Sequence, residues 1–248
     1  MNKNTGGAVF KDRTEAGRAL ADHLADHFAS GLPEETLVVG LTGGGVAVAA
    51  EVATRLELPM DVVVVQRLHR SGQPTMVLGS VAEHGTSAMV PGAWDRYLVG
   101  PNELEDLIRR QRLRLRRRTD QIRRGIAPLS CRGRTVLLIT DGLASGASAR
   151  AAGAAVRARG AQHIFLAVPV SSPAGPAAVA LAADEFSSLY SPEPFRSVGE
   201  WYADFSEVTD EQVSAVLHGT SGFAGPPSLV SSPPSFSTGS ASPWATMF

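Results

Sequence analysis

Short apolar runs recur along the chain and alternate with stretches in which apolar positions follow a helical spacing. A continuous apolar run of roughly four to eight residues is typical of a strand that is covered on both faces of its sheet. Runs of this kind are Leu37–Leu41, Asp61–Leu68, Thr135–Ile139 and His163–Val170, and a further strand is predicted over Asp184–Tyr190. We therefore predict buried strands at these places, and shorter strands between Thr75 and Val90 that turn at His84 and Gly85.

The intervening stretches predict helices. They are Thr14–Ala29, Val46–Leu56, Glu103–Arg124, Ser148–Arg159, Pro173–Ala183 and Asp210–Leu217. Strands that alternate with helices favour a parallel sheet with helices on both faces. The sequence thus predicts an α/β fold with a mainly parallel, doubly wound sheet.

The composition changes sharply near the end of the chain. Residues 1–219 carry the periodic pattern and predict one domain, whereas residues 220–248 are dominated by Ser, Pro and Gly. Such a segment buries too little apolar surface to offset its ordering entropy, so we expect a disordered tail.

Charge and cysteine content exclude several classes of protein. The net charge is −1, so no overall positive charge attracts the chain to nucleic acid. There is one cysteine, Cys131, so an internal disulfide is excluded. No signal-like N-terminus and no apolar run of about 18–20 residues is present, which predicts a cytoplasmic protein with no membrane partner. The arginine-rich stretch Glu103–Arg124 has two interpretations, a nucleic-acid surface or a solvated helix face that belongs to a hood or a homodimer contact. No aromatic residues interleave with its arginines, which favours the second.

The most informative segment follows the apolar run that ends at Ile139. Gly142 and Gly146 allow the backbone to curl around an anion, and Ser145 and Ser148 add hydroxyl donors before the next helix. The carboxylate of Asp141 would repel a phosphate and should face sugar hydroxyls instead. The simpler interpretation is a tight strand-to-helix turn in which Ser148 is only a helix N-cap.

This segment, Val136–Ser148, resembles the phosphoribosyl-pyrophosphate signature of the type I phosphoribosyltransferases. Further segments resemble landmarks of one bacterial subgroup of that family, and they extend the likeness over residues 10–218: Phe10–Arg13, Gly40–Val46, Leu78–Val81, Val168–Pro173 and Phe205–Asp210. The resemblance implies the fold of that family, with a small hood region, and transfer of a 5-phosphoribosyl group to an acceptor that the sequence does not identify.

The resemblance also implies roles for individual residues. Asp141 would hold the ribose hydroxyls, Leu143–Ser148 the 5′-phosphate, Thr42–Gly44 the pyrophosphate, and Arg67 part of the negative charge. Asp141 and Arg67 are thus the expected catalytic residues. Mg²⁺ would be held mainly through the small-molecule substrate, with no direct protein ligand. The full expected substrate-binding set is Thr42, Gly43, Gly44, Thr140, Asp141, Gly142, Leu143, Ala144, Ser145, Gly146, Ala147 and Ser148.

Several positions depart from the family pattern. Thr140 stands where the first of two acidic residues is usual, Gly43 where an arginine is usual, and Thr75 where a glutamate is usual. Ala144 offers no proton acceptor where purine-specific relatives carry an acid. These changes leave a second hypothesis open. In it the fold has lost transfer and serves as a ligand-binding or regulatory protein, or performs other chemistry in specialised metabolism.

Overall fold

A computed structural model describes residues 8–70 and 72–220. The helices are α1 Arg13–His27, α2 Gly44–Arg55, α3 Ala93–Arg96, α4 Pro101–Arg123, α5 Ala147–Ala158, α6 Gly175–Val179 and α7 Asp210–Thr220. The strands are β1 Leu37–Leu41, β2 Met60–Val63, β3 Val65–Arg70, β4 Gln73–Ala82, β5 Ser87–Met89, β6 Thr135–Ile139, β7 His163–Val170 and β8 Glu185–Tyr190.

The main sheet has five strands in the order β2-β1-β6-β7-β8, and every neighbouring pair is parallel. Val39 of β1 lies opposite Leu138 of β6, and Leu138 lies opposite Leu166 of β7. Parallel strands place their carboxyl ends at one edge, so the loops that follow β1, β6 and β7 lie beside one another.

Alternate residues of each strand belong to two separate cores. Val38 and Leu137 pack in a cluster with residues of α1, α2 and α7, whereas Val39 and Leu138 pack in a second cluster with residues of α5. Both faces of the sheet are therefore covered, which explains why its central strands β1, β6 and β7 are continuous apolar runs. The predicted doubly wound α/β fold is confirmed.

The prediction of one strand over Asp61–Leu68 was wrong. The chain forms β2 in the main sheet and β3 in a second, three-stranded antiparallel sheet of order β3-β4-β5. The break falls at Val64, whose amide donates to the Glu83 carboxylate at 3.1 Å instead of to a neighbouring strand. The apolar run continues through Val65 because the residues on both sides of the break are buried. The apolar pattern therefore gave no indication that the chain passes from one sheet to the other.

A buried ionic network fixes α4 to the edge of the main sheet. The Arg123 guanidinium donates to Asp61 at 3.0 Å and to Glu83 at 3.4 Å, and all three side chains are almost completely buried. Arg159 of the segment after α5 forms an ion pair with the other oxygen of Asp61. Part of the predicted arginine-rich face is therefore structural.

Two segments outside the main sheet meet beside its carboxyl edge. Phe10 forms a parallel bridge with Tyr202, and their rings lie 5.5 Å apart between centroids.

The helix predicted over Pro173–Ala183 is present but shorter than predicted, and it forms α6, Gly175–Val179. Within residues 8–70 and 72–220, no helix has the length and apolarity needed to cross a bilayer. Except for Thr220, which ends α7, the predicted tail lies outside the described residues.

Candidate functional site

The loops after β1 and β6 meet at the carboxyl edge of the sheet. The twelve-residue helices α2 and α5 both begin there, at Gly44 and at Ala147. Gly45 packs so tightly on the end of β6 that a Cβ on it would lie 2.9 Å from Thr140 Cα. Two helix N-termini that open on the same edge, beside glycine-rich backbone, form a surface of amide donors suited to anions.

The loop between β6 and α5 is hydrogen-bonded to the end of β7. Leu143 donates its amide to Val170 at 2.9 Å and is buried, so this amide is engaged within the protein and not free for a ligand. Ala144 and Ser145, by contrast, are exposed. Gly146 adopts φ +73°, a left-handed conformation that favours glycine, and it turns the chain into α5. The exposed part of the predicted phosphate loop is therefore Ala144–Ser145 with the start of α5.

Ser148 lies inside the first turn of α5 and is not its N-cap, which is Gly146. The interpretation of this segment as a simple serine-capped turn is therefore wrong. Instead the Ser148 hydroxyl lies 2.9 Å from the hydroxyl of Ser80 in β4. Arg67 of β3 is the cross-strand partner of Ser80 and is exposed. Because cross-strand partners project on the same face of a sheet, Arg67 lies on the side of the smaller sheet that faces α5.

The loop after β1 is shaped by one side-chain hydrogen bond and one glycine. The Thr42 hydroxyl accepts from the Val65 amide at 2.9 Å, so Thr42 holds the start of β3 beside the site. Gly43 has φ +87° and open space around its Cβ position. The arrangement leaves the backbone of Gly43 and Gly44 partly accessible, and the two glycines contribute no cation.

Asp141 is enclosed by residues that the sequence pattern had not assigned. The Arg13 Nε of α1 donates to Asp141 Oδ2 at 2.9 Å, and the Tyr202 hydroxyl donates to the Asp141 carbonyl oxygen at 2.6 Å. Burial raises the pKa of Tyr202, and the nearby Asp141 carboxylate adds to this, so the phenol remains a donor. Arg13 lies 128 positions before Asp141, so no local motif could connect them. The only available signal was that Phe10–Arg13 is a landmark of the resemblance.

An arginine of the long helix braces the same region. Arg118 forms an ion pair with Asp210 at 2.7 Å and donates to the Val65 carbonyl oxygen at 3.0 Å. Arg118 thus connects α4 and α7 to Val65, the residue whose amide donates to the Thr42 hydroxyl. Thr75, expected to be near the ligand, lies in β4 of the smaller sheet.

The residues around Asp141 do not fit a directly held Mg²⁺. Magnesium prefers six oxygen ligands with near-octahedral geometry. The protein offers the carboxylate of Asp141, one oxygen of which is already paired with Arg13, and the neutral hydroxyl of Thr140, 3.4 Å from the other oxygen. Among the residues that the model describes, no group of three or more His, Cys, Asp or Glu side chains has metal-binding geometry.

A doubly wound sheet whose glycine-rich loops and helix N-termini meet at the carboxyl edge is the arrangement of α/β proteins that bind phosphorylated ligands there. Comparison with known proteins identifies the family to which the chain belongs within this class. Residues 10–188 match the model of the phosphoribosyl transferase domain. The chain therefore belongs to the phosphoribosyl transferase domain family.

Relatives support this assignment over most of the described residues. The chain is 37% identical over 209 residues to a Mycobacterium tuberculosis protein named "Putative phosphoribosyl transferase Rv0571c", a match that covers 84% of this chain and 46% of that protein. The chain thus spans about half the length of the curated relatives it matches. A crystal structure of the protein TT1426 from Thermus thermophilus is 42% identical, covers 87% of this chain and 99% of that one, and superposes with a TM-score of 0.68.

Proposed function

We propose that this domain binds phosphoribosyl pyrophosphate at the carboxyl edge of its sheet and transfers the 5-phosphoribosyl group to an acceptor. The observation that carries the proposal is the meeting of two loops, Thr42–Gly44 and Thr140–Ser148, around Asp141. Both loops lead into helix N-termini, and membership of the phosphoribosyl transferase domain family supports a ligand of this chemistry.

Each loop has a part in this proposal. Ser145, Ser148 and the first amides of α5 bind the 5′-phosphate. The accessible backbone of Gly43 and Gly44 binds the pyrophosphate. Asp141 Oδ1, the carboxylate oxygen that Arg13 does not contact, accepts from the ribose hydroxyls. Arg67, on the face that carries Ser80, offsets negative charge as pyrophosphate leaves the ribosyl carbon. The resemblance implies that Mg²⁺ accompanies the substrate, and the binding is therefore tested both with and without this ion.

Calorimetric titration of phosphoribosyl pyrophosphate into the full chain tests the binding. We expect saturable binding that Asp141→Ala weakens by at least about tenfold, the scale of one or two charge-assisted hydrogen bonds. Asp26→Ala is the matched control because Asp26 is an exposed aspartate of α1. Equal affinity in the wild type and in Asp141→Ala would contradict the assigned role of Asp141.

A second candidate is ligand binding without transfer. Asp141 is already neutralised by Arg13, and Thr140 brings no charge, which weakens the case for strong transition-state stabilisation. The two functions separate in one assay, in which pyrophosphate release is measured in the presence of a panel of nucleobases and amines. Tight binding with no acceptor-dependent release would favour the binding protein, and acceptor-dependent release would favour the transferase.

A further inference from the structure

The side chain of Arg13 reaches from α1 into the site between the two ligand loops. Its Nε donates to Asp141 and its Nη1 donates to the Ser206 carbonyl oxygen at 2.7 Å. The guanidinium carbon lies 3.9 Å from the centre of the Phe205 ring. With only 10% of its side chain exposed, Arg13 is held in one position by contacts from Asp141 and from Phe205 and Ser206.

The guanidinium lies directly against the start of α2. A Cβ on Gly44 would overlap both the Nε of Arg13 and Oδ2 of Asp141. The space that a side chain at position 44 would fill is thus occupied by the ion pair. Because Gly43 and Gly44 bring no charge, Arg13 is the cation that lies at this loop. Its Nη2 has no hydrogen-bond partner among the described residues and remains a donor.

The charges of Arg13 and Asp141 offset each other in this part of the site. Thr140 is neutral, and the single negative charge of Asp141 is offset by Arg13. Asp204 also lies within electrostatic reach of Arg13, but it is exposed and its carboxylate accepts from the Ser206 amide at 2.9 Å. Because Arg13 neutralises the carboxylate of Asp141, this part of the site carries little negative charge that would attract a divalent cation.

We infer that Arg13 takes the place of a divalent cation in this site, so that phosphoribosyl pyrophosphate binds without Mg²⁺. This inference rests on the proposed function and specifies how that site meets the charge of its ligand. Arg13 orients Asp141 toward the ribose through Nε and presents Nη2 to the pyrophosphate oxygens. A planar guanidinium suits this double task because its donors diverge in a fixed geometry.

Titrations of phosphoribosyl pyrophosphate and of inorganic pyrophosphate, each in EDTA and in Mg²⁺, test the inference. We expect the wild-type affinity to differ by less than about threefold between the two conditions. Arg13→Ala should lose about tenfold to hundredfold in EDTA, the scale of a charge-assisted contact. Mg²⁺ should restore part of that loss, because Asp141 is then free to attract the ion.

Two further variants separate a charge effect from a structural one. Arg13→Lys keeps the positive charge and should retain binding in EDTA better than Arg13→Ala. Arg18→Ala removes an exposed arginine of the same helix and should change nothing. Circular dichroism and urea unfolding establish that each variant is folded.

The outcomes distinguish this inference from the proposed function. Wild-type binding that appears only with Mg²⁺ would overturn the inference and leave the proposed function intact. Equal binding by Arg13→Ala and the wild type in EDTA would do the same. Absence of binding to either ligand in both conditions would overturn both proposals.

Discussion

The hydroxyl oxygens of Ser80 and Ser148 lie 2.9 Å apart and join the smaller sheet to the helix that follows the phosphate loop. Ser80 is completely buried, so its hydroxyl serves this contact and no ligand. Ser148 is partly accessible at the N-terminus of α5. The pair therefore holds the Ser148 hydroxyl at the position where the proposed 5′-phosphate would accept from it.

Removing the Ser148 hydroxyl should weaken ligand binding more than removing its support. We expect Ser148→Ala to reduce the affinity for phosphoribosyl pyrophosphate about tenfold, and Ser80→Ala to reduce it by less, about twofold to threefold. Calorimetric titration measures both, and Ser30→Ala is the control at an exposed, remote serine. An unchanged affinity in Ser148→Ala would remove this serine from the binding site.

A side chain at position 44 should displace the ion pair beside it. Gly44→Ala places a methyl group where Arg13 and Asp141 lie, so we expect ligand affinity to fall by at least about tenfold. Gly100→Ala is the control, because Gly100 likewise lies at the start of a helix, as the N-cap of α4, and has open space around its Cβ position. Titration of phosphoribosyl pyrophosphate into each variant compares them, and similar affinities would contradict the crowding argument.

The Tyr202 hydroxyl should contribute to stability through the Asp141 backbone. Tyr202→Phe keeps the ring beside Phe10 and leaves the Asp141 carbonyl without its 2.6 Å donor. We expect the free energy of unfolding in urea to fall by about 1–3 kcal/mol. Tyr190→Phe alters an exposed tyrosine that also contacts Phe10 and should change it by less than about 0.5 kcal/mol. Equal losses in the two variants would show that the hydrogen bond has no special weight.

Breaking the buried ionic network of α4 should lower the free energy of unfolding far more than removing an exposed arginine of the same helix. Arg123→Met leaves Asp61 and Glu83 buried with one partner fewer, and we expect a loss of about 3–5 kcal/mol in the free energy of unfolding. Arg116→Met, at an exposed position of the same helix, should lie within about 0.5 kcal/mol of the wild type. Urea unfolding monitored by circular dichroism measures both. A near-neutral Arg123→Met would mean that α4 is held by its apolar contacts alone.

The buried thiol of Cys131 should lower the free energy of unfolding at alkaline pH. Burial raises the pKa of Cys131, so the folded thiol stays protonated where the unfolded thiol, with an ordinary pKa of about 8.5, ionises. Unfolding then releases a proton, and the free energy of unfolding falls as the pH rises above about 8.5. Urea unfolding at about pH 7.5 and about pH 9.5 should show a smaller decrease in Cys131→Ala than in the wild type. The same decrease in both proteins would assign the pH dependence to other groups.

Much of the fold could be predicted from the sequence because its signals are local. The runs Leu37–Leu41, Thr135–Ile139 and His163–Val170 are strands with these same bounds, since a strand covered on both faces must be apolar throughout. The long helix was predicted within two residues of its observed bounds, Pro101–Arg123. The proposed phosphate loop could be predicted from the sequence because its glycines, hydroxyls and acidic residue follow one another directly in the chain.

What the local pattern could not determine was which distant residues meet. The apolar run that contains Val64 is divided between two sheets, a partition that depends on the partners of each half and not on its hydrophobicity. Likewise, Asp141 alone predicted a carboxylate facing sugar hydroxyls. Only the packing of α1 and of residues 202–206 against the sheet edge brought Arg13 and Tyr202 to it. The sequence thus determined most of the strands and helices and the glycine-rich loop, because these depend on neighbouring residues. The tertiary structure decided the charge of the site, because that charge is set by an ion pair between residues far apart in the chain.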